Sequence, residues 1–329
     1  MPQANRRTFL KSSAAVGAGM ALAGCTGFLD EDGEYPADDV TLIIPFGEGG
    51  GTDTAMRNIM PVVSEELGVN VVIDNIPGSA SLRGAGEGYH ADPDGYTMLA
   101  FNPPSTPISA LVHQPDFDLR DLTGIGIYGR SPYVMVANPD HEFDDLQDVV
   151  DRFEDGEFNS VAGQDRGGPL HILSVLIQDW LPWEEYLPYD GSGAILQSVM
   201  SDEAPIGFPT PAESAGPIED GQLDFITYMS SETTPAFPDA DTITDHGYPN
   251  IDFVAQLSRT LWFPPETPQE YVDVMYDAVS TAMESDEVQG WAEETGFFVD
   301  VAGPDQAEQV VEDIYEEIPE VVDLEEFRD

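Results

Sequence analysis

The chain has 329 residues and a formal net charge of −52, set by 63 Asp and Glu against 11 Lys and Arg. Phosphate backbones are bound by basic surfaces, so this balance excludes nucleic acid as a partner. With 41% hydrophobic residues, 16 Phe, 12 Tyr and four Trp, the composition also excludes a chain kept unfolded by its own charge.

The N-terminus predicts export. Arg6-Arg7-Thr8-Phe9-Leu10-Lys11 is a twin-arginine run, and the apolar stretch from Ser12 to Gly24 is shorter than the about 20 residues a spanning helix needs. Leu22-Ala23-Gly24-Cys25 has the form of a lipobox, and Cys25 is the only cysteine, so no internal disulfide can form. Its position suits a lipidated first residue after cleavage, tethering the mature protein to the membrane. Every Asp and Glu follows Cys25, while no lysine does. Such charge repels itself in dilute buffer but is screened at molar salt, where the Debye length is about 3 Å, so adaptation to brine is expected. The organisation read from these signals is a signal with lipobox (1–25), an acidic linker (26–39), a discontinuous first domain (40–135 and 260–329) and a second domain (136–259).

In chain order, Val40 to Ile44 is a short β-branched run that predicts a buried parallel strand. A helix follows Gly49-Gly50-Gly51, with Met56, Met60, Val63 and Leu67 on one face, Thr52 or Asp53 as its N-cap, and a kink or loosened turn at Pro61. Val69 to Asp74 and Tyr96 to Phe101 are the next strands. After a strand at Tyr133 to Ala137, a second set follows. It has helices near 144–153 and 169–180 and strands near Phe158, Tyr186, Ile206 and Phe225. Asp252 to Phe263 reads as one long extended segment, closed by Pro264-Pro265, before helices at 269–283 and 306–322. Strands alternating with helices predict an α/β fold with mainly parallel sheets, arranged as two lobes with a ligand cleft between them.

Three loops carry the candidate chemistry. Phe46-Gly47-Glu48-Gly49-Gly50-Gly51-Thr52-Asp53 joins a strand to a helix, and Gly163-Gln164-Asp165-Arg166-Gly167-Gly168-Pro169 repeats that arrangement. Tyr189-Asp190-Gly191-Ser192-Gly193-Ala194 does so again, with Ser192 as a plausible N-cap. Glycines admit a ligand close to the backbone, and a helix start offers unpaired N–H groups with partial positive charge. Singly, each loop is equally a tight turn.

In this order the motifs resemble the substrate-binding components of tripartite tricarboxylate transporters, the Bug family. The matching pieces are 41–46 with 49–53, Val72-Ile73-Asp74-Asn75-Ile76-Pro77-Gly78, Pro93-Asp94-Gly95-Tyr96-Thr97, 187–192 and Pro264-Pro265-Glu266-Thr267-Pro268. The resemblance implies a two-lobed Venus-flytrap fold (two α/β domains joined by crossover strands) that closes on one small carboxylate. By position, it places ligand contacts in the first lobe at Phe46, Gly49, Gly50 and Asp53, with Ser105 and Thr106 in the loop after the third strand. In the second lobe it places them at Gln164, Gly167, Gly168, His171, Gly191 and Ser192, with Pro209-Thr210 a weaker candidate. Asp53 is a cap or a ligand contact, and His171 orients its loop or touches the ligand. Arg166 is the cation of these loops and could grip a carboxylate or pair with an acid.

Glu48, Asp165 and Asp190 depart from the family pattern, which has a small residue at the first position and a lysine at the last. They are either surface charges suited to brine or the mark of a ligand that is neutral, carries an ammonium group or brings a bound cation. His90, His113, His141, His171 and His246 are scattered, and there is no Gly-x-Ser-x-Gly or His-Glu-x-x-His motif, so no enzyme, metal or cofactor is expected. The expected partners of this monomer are a small di- or tricarboxylate and the permease subunits of a membrane transporter. The alternatives are a sensor that passes its bound form to a signalling receptor, and a receptor for an amino acid or another non-carboxylate solute.

Overall fold

Alternating apolar residues set the first sheet. In β1 (Val40–Ile44), Val40, Leu42 and Ile44 point into one core while Ile43 points into the other, a pattern that needs both faces covered. The computed structural model describes residues 35–164, 166–189 and 191–327, which form one compact unit from Tyr35 onward. The expectations at Arg6, Arg7, Cys25, Asp165 and Asp190 lie outside the described residues.

After β1 come α1 (Gly51–Leu67), β2 (Val71–Asn75), α2 (Leu82–Tyr89), β3 (Thr97–Phe101), α3 (Ser105–His113) and β4 (Thr123–Pro132). The second set is β5 (Val134–Ala137), α4 (Leu146–Glu154), β6 (Ser160–Gly163), α5 (Pro169–Ile177), β7 (Glu185–Pro188), α6 (Ser192–Met200), β8 (Ile206–Gly207), α7 (Pro211–Glu219) and β9 (Asp224–Tyr228). The chain returns through α8 (Asp252–Ala255) into β10 (Gln256–Phe263) and ends with α9 (Gln269–Glu284), α10 (Asp286–Thr295) and α11 (Pro304–Val321).

Among the described residues, two five-stranded sheets result, ordered β2-β1-β3-β10-β4 and β7-β6-β8-β5-β9. Both are mixed where mainly parallel sheets are expected. β10 runs antiparallel to β3 and β4, and β5 runs antiparallel to β8 and β9, because each crossover strand enters its sheet from the opposite end. Helices α1, α9 and α10 cover one face of the first sheet; α2, α3 and α11 cover the other. α11 continues beyond that sheet: Ala307 and Val311 pack in the first-sheet core, Ile314 and Ile318 in the core of the second.

The two crossovers lie side by side. The Tyr133 N–H, between β4 and β5, donates to the Ala255 carbonyl at 2.9 Å, one residue before β10. The Val134 N–H donates to the Pro209 carbonyl just past β8, also at 2.9 Å. Because β10 is antiparallel to β3 and β5 to β8, the crossovers leave each sheet at the carboxyl ends of its parallel strands. Those ends, and the loops on them, therefore face the junction of the two sheets.

Several local expectations are corrected. α1 is capped by Gly50, so Thr52 and Asp53 fall in its first turn, and the helix runs through Pro61 without interruption. Gly191 is the cap of α6, and Ser192 is its first helical residue. Asp252 to Ala255 is a helical turn, held where Asp252 accepts from the Ser231 N–H at 2.8 Å, and only Gln256 onward is extended. Tyr35, inside the expected spacer, is docked: its hydroxyl donates to the Gly95 carbonyl at 2.6 Å and its ring packs on Tyr96 and Tyr271.

Candidate functional site

The first turn is braced from behind. Gly49 adopts φ +77, a conformation that favours glycine, which brings its N–H onto the Asp53 carboxylate at 2.8 Å. The same Asp53 oxygen accepts from Arg57 Nε at 2.9 Å; Arg57 in turn donates to Asn75 Oδ1 at 3.1 Å, and Asn75 donates to the Phe46 carbonyl at 3.2 Å. Asp53 is only 2% exposed, and the Arg57 bond, then that of Gly49, holds its carboxyl below the usual aspartate range. Its place is that of a brace within the turn. The Phe46 ring packs against the cores on both faces of the first sheet.

What the brace leaves open is the helix start. Gly50 supplies no side-chain cap, and among the described residues the N–H groups of Gly51, Thr52 and Asp53 meet no acceptor. The Thr52 hydroxyl accepts from Asn102 Nδ2 at 2.6 Å, tying this turn to the end of β3. Ser105 and Thr106 lie in the first turn of α3 instead of a loop. Thr106 is fully buried and its hydroxyl accepts from Ser81 at 3.0 Å, so its side chain is spent on packing.

In the second sheet, Gln164, Arg166 and His171 gather around Tyr186, with Gly167 and Gly168 in the same turn. The Tyr186 hydroxyl donates to the Gln164 carbonyl at 2.6 Å, and Arg166 Nη2 donates to the Tyr186 carbonyl at 3.1 Å. His171 accepts the Gly167 N–H on Nδ1 at 2.9 Å, between the rings of Tyr186 and Phe327. Burial first, then the Arg166 charge, pushes its pKa down to about 4, so the ring is the neutral acceptor that this bond requires. His171 therefore orients the turn. α5 and α6 begin at Gly168 and Gly191 without a side-chain cap, as α1 does at Gly50. By contrast, α4 and α10 are capped by Asp145 and Ser285. The Thr210 hydroxyl and N–H are both engaged by Glu213, at 2.6 and 3.0 Å.

Glu48 is exposed. Among the described residues no hydrogen bond joins the first-sheet set to the second-sheet set; what they share is the carboxyl-end side of their sheets. Sequence reading missed Asn102, the Arg57–Asn75 brace and the left-handed run Ser79, Ala80 and Ser81, with φ of 51, 51 and 74. It also missed Arg259, whose guanidinium nitrogens lie 3.7 Å from where a β-carbon on Gly51 would stand. The brace is a long-range pairing without local signature; an arginine inside the apolar strand Gln256–Phe263 was the legible clue.

Comparison with known proteins agrees with this architecture. The twin-arginine translocation signal family matches residues 3–23, and the family described as tripartite tricarboxylate transporter family receptor matches residues 55–323. Protein BugT of Bordetella pertussis is 26% identical over 306 residues, covering 91% of this chain and 93% of that protein. The crystal structure of a TctC solute binding protein from Polaromonas superposes with a TM-score of 0.78 at 18% identity, covering 88% of this chain and 99% of that one. MatC from Rhodopseudomonas palustris with bound malate gives a TM-score of 0.69 at 23% identity, covering 88% and 100%. A twin-arginine export signal, two α/β lobes and a family match over most of the chain converge: this chain is an extracytoplasmic solute-binding receptor and belongs to the tripartite tricarboxylate transporter receptor family.

Proposed function

We propose that this receptor captures a small di- or tricarboxylate between its lobes and delivers it to the permease subunits of a tripartite tricarboxylate-type transporter. On this reading it works as a monomer, tethered through a lipid on Cys25, and in high salt. The observation that carries the reading is the set of three glycine-started, uncapped helices, α1, α5 and α6, at the carboxyl ends of both sheets. Each offers peptide N–H groups where the helix dipole favours an anion. Two such starts in one lobe and one in the other suit a ligand with acid groups at both ends. The malate held by the Rhodopseudomonas protein is a molecule of that kind. The exposed Glu48 fits a solvated surface charge.

The test is a thermal-shift screen of organic acids, amino acids and sugars in molar salt. A ligand at about 100 times its Kd stabilises the folded state by about 2.7 kcal/mol, enough to raise the melting temperature by several degrees. The expected result is a shift confined to small polycarboxylates. Shifts from amino acids or neutral solutes, with none from any organic acid, would reject the carboxylate assignment.

A further inference from the structure

Arg259 is one of three described arginines, with Arg83 and Arg166, that have no described carboxylate within 4.0 Å. Among the described residues, Arg57, Arg120, Arg130 and Arg152 each lie within 4.0 Å of a carboxylate, as expected in a chain of net charge −52. Arg259 is partly buried and has no such partner, and its Nε is buried without an acceptor. Both of its Nη atoms stand 3.7 Å from the position a Gly51 β-carbon would take, against the uncapped start of α1. A cation beside the positive end of a helix is repelled by it; the acid of that first turn, Asp53, is engaged by Gly49 and Arg57, and no described carboxylate lies within 4.0 Å of Arg259.

The surroundings hold the side chain in this place. The strand register shifts between Arg259 and Thr260, an irregularity of the kind that re-aims a side chain. Arg259 Cζ stacks over the Phe297 ring at 5.4 Å from its centre. The ring can lie there because the residue paired with Arg259 in the register is Gly129; a β-carbon at that position would come within 2.6 Å of Phe297 Cζ. The hydroxyl of Tyr128, whose ring also stacks on Phe297, is likewise buried without a hydrogen-bond partner among the described residues. Gly51 opens α1 at the carboxyl end of β1, so the guanidinium beside it lies on the junction side of the first sheet.

We propose that Arg259, together with the N–H groups of Gly51 and Thr52, seats one carboxylate of the ligand and makes the receptor discriminate dianionic from singly charged solutes. The proposal rests on the carboxylate-receptor reading above and adds to it a specific residue and a selectivity. A guanidinium presents a planar fork that matches a carboxylate, and an anion placed between it and the helix start answers both positive groups at once. No described carboxylate pairs with Arg259, which leaves its fork open to the carboxylate of a ligand.

The experiment is calorimetry on the mature chain in molar potassium chloride with malate, succinate and adipate, with succinamate as the singly charged analogue and sulfate as a generic anion. Wild type, Arg259→Gln and Arg259→Lys are compared. A charge-assisted hydrogen bond contributes enough that Arg259→Gln should weaken the best diacid about 10- to 100-fold, and the preference for succinate over succinamate should collapse. Arg259→Lys keeps the charge without the fork, and a smaller loss is expected. The melting temperature of ligand-free Arg259→Gln should stay level or rise, because a repelled cation has been removed; a purely structural arginine would show the opposite. Should Arg259→Gln fail to fold, Arg259→Lys carries the test, with wild-type affinity counting against the proposal. If wild type binds a diacid and Arg259→Gln binds it equally well, this proposal falls and the carboxylate reading stands. If sulfate binds wild type as tightly as the diacids, the seat is a generic anion site and the proposal falls. If wild type binds none of the diacids, this proposal falls, and the thermal-shift screen of organic acids decides the carboxylate reading separately.

Discussion

Removing the carboxylate of Asp53 should loosen the first glycine turn and destabilise the fold by an amount the structure allows to be worked. The side chain accepts two bonds, from the Gly49 N–H at 2.8 Å and from Arg57 Nε at 2.9 Å. A hydrogen bond to a charged group contributes about 1.5–3 kcal/mol when sheltered. The Arg57 side chain is 50% exposed, so its share is nearer the about 0.3–0.5 kcal/mol of a solvent-screened i,i+4 pair. Together these put Asp53→Ala at about 2–3 kcal/mol, or roughly 4–10 °C in melting temperature for a domain of this size. Asp53→Asn keeps the shape and one acceptor, and should lose about half as much. The pH dependence gives the sharper assay. The carboxyl titrates below its ordinary 3.8, so its contribution is fully present above that value and is lost as pH falls through the lower native pKa. The gap in melting temperature between wild type and Asp53→Asn should therefore be constant from pH 7 to 5 and close as pH drops below 4. A gap that is absent at pH 7, or that persists unchanged into strong acid, would refute the brace.

Four further outcomes are expected. His171, held near pKa 4 against 6.5 when unfolded, favours the neutral ring, so its contribution is complete above pH 6.5 and is lost as pH falls toward 4; His171→Gln should flatten melting curves and ligand affinity across that window. Gly84→Ala would drive a β-carbon to 2.6 Å from the Ile76 carbonyl and 2.8 Å from Pro45 Cα, costing about 1–3 kcal/mol in urea titration, whereas Gly216→Ala in α7, with nothing within 4 Å, should be neutral or slightly stabilising. Lowering salt from molar to about 0.1 M lengthens the Debye length to about 10 Å and should lower the melting temperature; an unchanged value would reject adaptation to brine. Cys25→Ser should release the receptor from membranes into the medium, and an unmodified Cys25 in mass spectra of the wild type would reject the lipid anchor.

Legibility followed the range of the interactions. β1, with Val40, Leu42 and Ile44 facing one core and Ile43 the other, reads directly as a strand covered on both sides because that alternation is local. The glycine turns were readable for the same reason, since the residue types that free a helix start sit beside it. The caps were misassigned because Thr52 and Asp53 are the usual capping types, yet here Asp53 reaches back to Gly49 from the first turn and Thr52 is engaged by Asn102. α3 escaped notice because Pro104 and Pro107 surround its start, and what stabilises it is tertiary: Ile108 and Val112 pack into the second-sheet core and Ala110 into the first. Arg259 was hidden for a related reason. Its meaning lies in the strand irregularity, in Gly129 opposite and in Gly51 beyond, three features separated along the chain.

The reliance on peptide groups at the site we propose follows from the charge of the chain. With 63 acids, a lysine or arginine near any surface is soon matched by a carboxylate, and most of the described arginines are matched in this way. A backbone N–H at a helix start cannot be neutralised by such a partner when the capping position is glycine, because glycine brings no side chain to cap it. In the high salt we propose for this receptor, screening over about 3 Å also removes long-range attraction between protein and ligand. Recognition is then left to donors that act at contact, and their placement depends on the turn being rigid. The Asp53–Arg57–Asn75–Phe46 chain and the His171–Gly167 bond supply that rigidity within the turns.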